Sequence, residues 1–205
     1  IDGDPVRSLD TLFAIAERRG APLDIHLHEP GAMGAFSLGL ILERTAALGL
    51  QGRVAVSHGF CLGEVPEAEC RALLERMARL GVALVTSAPP SRPVPPLKAC
   101  LEAGMAVAGG NDGIRDAWSP YGSPDMLERA MFIGLRYNLR RDDEIALALD
   151  CVTRGGAQAC GFADHGLAPG CRADLVLVDA QTVAQAVVAR PVRRLVVSGG
   201  RVVAR

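Results

Sequence analysis

The chain has 205 residues, 49% hydrophobic and 22% charged, with 22 basic side chains against 23 acidic ones and a formal net charge of -1. Such a chain can bury enough apolar surface to offset its ordering entropy, which excludes disorder. With no basic excess to displace counterions, nucleic acid is not an expected partner. No run approaches the roughly eighteen apolar residues a membrane helix needs, so no membrane partner is expected either.

The chain begins with Ile1 and enters a helical pattern almost at once, as the later part of a longer protein would. From Ser8 to Arg19, Leu9, Leu12, Phe13, Ile15 and Ala16 recur at helical spacing, and Gly20 and Pro22 end the run. Leu23 to His28 reads as a short buried strand. A helix is predicted from Phe36 to Leu48, a strand over Val54–His58, a helix from Pro66 to Leu80 and a strand over Gly81–Thr86. Pro95 to Ala103 is helical again, and Gly104 to Ala108 forms a fourth strand. Strands alternating with helices at this pitch predict βαβ units and a parallel sheet, equivalent to half of a (β/α)₈ barrel. Helices follow near 124–137, 142–154 and 157–160, and short strands over 173–179, 192–197 and 201–203. The expected fold is therefore α/β: the second half of a TIM barrel over residues 1–164, with part of a small β-sandwich over 165–205.

Three predicted strands end in groups that ligate metals or move protons: His26, His28 and Glu29, then Ser57 and His58, then Asp112. In a barrel of parallel strands the carboxyl ends converge on one mouth, so these groups are candidates for a shared site. Alternation puts His26 and His28 on the same side of their strand. His165 reads as a solvated surface residue. The six cysteines, at 61, 70, 100, 151, 160 and 171, show no CxxC spacing and fit structural thiols of a reducing, cytoplasmic compartment. Cys61 lies three residues after His58, but a thiol nucleophile needs an electropositive site and a base close in space. The glycines at 109, 110 and 113 do not make a G-x-G-x-x-G dinucleotide motif.

The runs His26-Leu27-His28-Glu29, Ser57-His58-Gly59, Asn111 to Trp118 and Gly166 to Leu177, in this order, resemble the amidohydrolase superfamily. Within it they are most similar to the cytosine deaminases and the related N-isopropylammelide amidohydrolases. The resemblance implies the carboxyl-terminal half of a barrel enzyme of roughly 400 residues. It implies one divalent metal, zinc or iron, with His26 as the fifth-strand ligand and Asp112 as the eighth-strand ligand. It further implies that Glu29 shuttles a proton to the ring, that His58 sits beside the activated water, and that Asp112 is both ligand and proton acceptor. His28 and Trp118 are candidates for contact with the substrate, Trp118 through its broad face, although packing under a helix would also account for it. Four strands are too few for His26-Leu27-His28 to be the family's first-strand pair, so those ligands are expected upstream.

The activity implied is metal-dependent hydrolytic removal of an amino or alkylamino group from a cytosine-, isocytosine- or amino-triazine-like ring, in a homo-oligomer. Gly113 stands where cytosine deaminases carry a second aspartate, which shifts weight from cytosine towards other aminated rings. Two alternatives are weighed: a hydantoinase-like cyclic amide hydrolase, and a non-catalytic binding protein that keeps the fold. The single lysine, Lys98, falls in a helical segment, which argues against the strand lysine of binuclear cyclic amidases.

Overall fold

The structure is a computed structural model that describes residues 3–205. The chain divides into two compact units, Ile1–Val107 and Ala108–Arg205. Helix α1 (Pro5–Arg19) opens the first. The Asp4 side chain accepts the Arg7 N–H at 3.0 Å, Pro5 occupies the first turn, and Gly20 ends the helix in the left-handed region at φ 60°. One face, Leu9, Phe13 and Ala16, is buried.

The unit then alternates strand and helix: β1 (Leu23–Leu27), α2 (Gly31–Ala47), β2 (Val54–His58), α3 (Glu67–Arg79), β3 (Ala83–Thr86) and α4 (Leu97–Glu102). Strand β4 (Val107–Gly109) carries the chain across the unit boundary, and the sheet order is β1-β2-β3-β4. The β1–β2 and β2–β3 pairings are parallel, as the alternation predicts. Every residue of β2 is buried, the pattern of a strand covered on both faces. Strand β1 instead buries Ile25 and Leu27 while Asp24 and His26 stay exposed on its other face.

In the second unit α5 (Met126–Arg136), α6 (Asp142–Val152) and α7 (Arg154–Ala159) precede β5 (Leu175–Val178), α8 (Val183–Ala189), β6 (Arg193–Ser198) and β7 (Arg201–Ala204). The three strands form an antiparallel sheet in the order β5-β6-β7. Asp125 caps α5 by accepting the Leu127 and Glu128 N–H groups, and it also receives the Arg193 guanidinium from β6.

Several boundaries differ from the sequence reading. Helix α2 starts at Gly31 rather than Phe36, because Pro30 provides the entry and the Glu64 carboxylate, from a distant loop, accepts the Gly31 N–H at 2.6 Å. Strand β4 lies three residues later than expected at its start. Helix α8 was not anticipated in its valine-rich run; the Thr182 hydroxyl caps it by accepting the Gln185 N–H at 3.0 Å.

Glycine is required where α2 meets the loop after β1. A Cβ on Gly34 would fall 2.1 Å from the Glu29 carbonyl oxygen and 2.6 Å from the Cys61 Cβ, whereas one on Gly39, in the same helix, would meet nothing within 4 Å. Gly34→Ala is expected to destabilise the protein by about 3 kcal/mol through overpacking against backbone. Gly39→Ala should stabilise it by about 0.5–1 kcal/mol through helix propensity. Urea unfolding of the two variants checks both signs.

Candidate active site

In the first unit three histidines gather at the carboxyl ends of β1 and β2. The ring centroids of His26 and His58 are 5.0 Å apart and those of His28 and His58 4.2 Å, both edge-to-face, while His26 and His28 are 5.9 Å apart. The pairing His26↔Ser57 and Leu27↔His58 sets this arrangement only in part. Bridge partners in a sheet share a face, so a regular strand would aim His58 the way Leu27 points, away from His26 and His28. His58 instead has φ 71°, and Gly59 follows at φ 56°. That left-handed step breaks the alternation and carries the imidazole to the side of the other two. A non-glycine residue there costs on the order of 1 kcal/mol, and the surrounding packing must hold it; His58 is only 4% exposed.

The neighbourhood is partly apolar and closely stitched. Phe60 packs on His58 and His28, with centroids 5.1 and 5.8 Å away, and the Arg92 guanidinium lies 5.6 Å over the Phe60 ring. Beneath His26 on the same strand face, the Ser57 hydroxyl donates to Asp24 at 2.9 Å. Glu29 is half-buried just past β1, with its carbonyl held against Gly34. Cys61 is fully buried, and burial is the main cause that pushes its thiol up to about 12. A thiol held protonated in this way is a packing group rather than a nucleophile.

In the second unit Asp112 is exposed, three residues past the end of β4. Its neighbour Asn111 accepts two hydrogen bonds through Oδ1, from Arg129 Nε at 2.9 Å and Nη2 at 2.7 Å. Burial lowers the Arg129 guanidinium from its ordinary value, while the carboxylates of Glu128 and Asp112 push it the other way. Trp118 is 71% exposed at the tip of the loop that follows Asp112, so it does not pack under a helix. His165 is exposed.

Sequence reasoning did not find the Arg129–Asn111 brace, the Asp24–Ser57 pair or the Phe60–Arg92 stack. Asp24 had one available signal: it stands two residues before His26, on the same strand parity. The other two join residues distant in sequence and left no local pattern to read.

The amidohydrolase family matches residues 2–204, so the chain belongs to the amidohydrolase family. It is 30% identical over 202 residues to N-isopropylammelide isopropyl amidohydrolase of Pseudomonas sp. (strain ADP), covering 97% of this chain and 49% of that protein. The crystal structure of N-isopropylammelide isopropylaminohydrolase from Burkholderia multivorans ATCC 17616 superposes with a TM-score of 0.97 at 65% identity, over 99% of this chain and 52% of that one. The 5-methylcytosine deaminase of Klebsiella pneumoniae, liganded with 5-fluorocytosine, shares the fold with a TM-score of 0.87 at 24% identity, over 98% of this chain and 52% of that one. The chain thus spans about half the length of these relatives.

The thiol chemistry can be checked directly. Iodoacetamide at pH 8, followed by peptide mapping, should label exposed Cys160 and spare Cys61 and Cys151, both of which burial pushes up to about 12. Rapid labelling of Cys61 in the folded protein would contradict the site as described.

Proposed function

We propose that this chain is the carboxyl-terminal, metal-holding half of a hydrolytic deaminase that removes an amino or alkylamino group from a nitrogen heterocycle. The observation that carries the reading is the cluster of three imidazoles at the carboxyl ends of β1 and β2, in a chain 65% identical over 99% of its length to an isopropylaminohydrolase. An alkylamino-substituted triazine-like ring is therefore the favoured substrate class. Residues 1–164 contribute strands five to eight of the barrel, and residues 165–205 contribute to a small β-sandwich domain. A soluble homo-oligomer in the cytoplasm completes the proposal.

The donor set fits one divalent ion, zinc or iron. His26 stands on the exposed face of β1, and imidazole nitrogen with carboxylate oxygen suits either metal. His26 and Asp112 are the residues that would hold it. When bound, such an ion supplies Lewis acidity that brings the pKa of a water towards about 7.

The chain's own groups then divide the proton traffic. Asp112 accepts a proton from the attacking water as the carbon–oxygen bond forms. Glu29, fixed at its backbone by the Gly34 approach, gives its proton to the adjacent ring nitrogen, takes the hydroxyl proton from the tetrahedral carbon as the carbonyl forms, and passes that proton to the amine as the carbon–nitrogen bond breaks. The proton held by Asp112 then returns through solvent to Glu29 and resets both carboxyl groups. His58, buried and backed by Phe60, donates a hydrogen bond to the oxygen that gains charge. His28 and Trp118 contact the ring, and together these residues keep it oriented. The balance is one water consumed and one amine released.

The test uses the full-length protein, with its metal content measured and amine release followed on cytosine, isocytosine and amino- and alkylamino-triazines. The proposal predicts a metal-replete enzyme that releases amine from at least one such ring. Glu29→Gln should keep the metal and lose about 10²–10⁴-fold in kcat, whereas His26→Ala should lose the metal. Ring opening of hydantoins without amine release would replace this reading with cyclic amide hydrolysis. A metal-replete protein that turns over none of these compounds would point to a binding protein.

A further inference from the structure

Trp118 is the single tryptophan of the chain, and 71% of its surface is exposed. Leaving so large an apolar ring in water forfeits burial energy, and the loop that carries it is elaborately held. At the neck, Gly122 has φ +108°, and a Cβ there would fall 2.2 Å from the Gly113 carbonyl oxygen. A Cβ on Gly113 would lie 3.1 and 3.3 Å from Trp118 Cε3 and Cζ3, so the indole rests its benzo edge against the backbone immediately after Asp112. Between the two glycines the loop is organised around one carboxylate. Asp116 Oδ1 accepts the Trp118 and Ser119 N–H groups, each at 2.9 Å, and Oδ2 accepts the Ile114 N–H at 3.3 Å. Two backbone bonds, Arg115 N–H to the Tyr121 carbonyl and Asp116 N–H to the Ser119 carbonyl, both 3.0 Å, close the ring of contacts. Arg115 takes φ 50°, a conformation that such a brace must enforce on a non-glycine residue.

We infer that Asp116 is a positioning residue whose carboxylate fixes the loop from Gly113 to Gly122 so that Trp118 presents an aromatic face to a planar nitrogen heterocycle. The backbone N–H groups of Ser119 and Trp118 hold the Asp116 carboxyl below the usual carboxylate range, so the acceptor is ionised at neutral pH. A surface loop that needed only a turn brace would gain nothing from an exposed indole at its tip. Here the brace and the glycine neck both act on the ring, one through its backbone N–H and the other through its edge. Asp116 does not touch the ligand. It sets the pose of the residue that does, and its loss is expressed in binding rather than in the chemical step. This assignment rests on the proposed function only for the identity of the ligand.

The test compares Asp116→Ala, Asp116→Asn, Trp118→Phe and the Asp116→Ala/Trp118→Phe double variant in the metal-replete full-length protein, with N-isopropylammelide as substrate. Asp116→Ala should raise KM about tenfold, the scale of one base–aromatic stack, and leave kcat within about twofold. Asp116→Asn, which keeps a neutral Oδ1 acceptor, should recover most of that loss. The double variant should be no worse than the worse single one. In parallel, subtracting the emission of each Trp118→Phe counterpart isolates the Trp118 signal, and its acrylamide quenching should change in Asp116→Ala. Additive KM effects, an unaltered KM in Asp116→Ala, or a loss confined to kcat would overturn the inference. So would unchanged quenching. If no protein of the series turns over N-isopropylammelide, that choice of substrate fails while the proposed function still stands or falls on the wider ring panel, and the quenching comparison decides on Asp116 by itself.

Discussion

The left-handed backbone of His58 is the constraint on which the histidine cluster depends. Parallel pairing of β1 with β2 brings the two strand ends level, and alternation gives His26 and His28 a common face. Neither places His58 with them, because its bridge partner Leu27 faces the other way. The step at φ 71° does so, and the packing of Phe60 against the imidazole keeps it there. Strained non-glycine residues recur past the strand ends, at Ala88 after β3 and Arg115 after β4. Each has a nearby acceptor that holds the backbone: the Thr86 hydroxyl takes the Ala88 N–H at 3.0 Å, and the Tyr121 carbonyl takes that of Arg115. Of the five described non-glycine residues at positive φ, these three lie at or past strand ends, whereas Asn138 and Arg190 follow helices α5 and α8.

Stability and chemistry are accordingly drawn from different parts of the same elements. β2 is buried along its whole length and anchors the sheet, yet its last residue carries a candidate functional imidazole. Loops at this edge are drawn together by contacts that only small residues permit. Gly34 admits the Glu29 carbonyl, and Gly63 sits where a Cβ would come within 2.5 Å of the Val94 carbonyl oxygen. The Glu64 carboxylate joins the loop after β2 to the first turn of α2, where an exposed N–H would otherwise lack a helical partner. Rigid loops of this kind hold side chains such as Glu29 to a defined place, which proton transfer requires.

Much of this was legible in the sequence. The alternation of β-branched runs with amphipathic segments gave the parallel βαβ order, and the parity of His26 and His28 gave their shared face. The start of α2 was not legible, since the Glu64 contact that completes its first turn comes from a residue thirty-three positions away. Helix α8 escaped because its valines favour a strand locally, and packing with the Thr182 cap prevails. The turn at His58 was hidden for a different reason: positive φ is uncommon for any non-glycine residue, and histidine's enrichment there is too small to announce it at one position, so only the ring contacts reveal what the turn achieves.

The central claim is that the imidazoles at the ends of β1 and β2 serve a metal through His26. X-ray absorption at the metal edge of the loaded full-length protein tests this most directly. The account predicts a nitrogen and oxygen shell at about 2.0–2.1 Å with imidazole scattering, and little or no bound metal in His26→Ala. A sulfur shell near 2.3 Å, or imidazole scattering unchanged by that substitution, would contradict it.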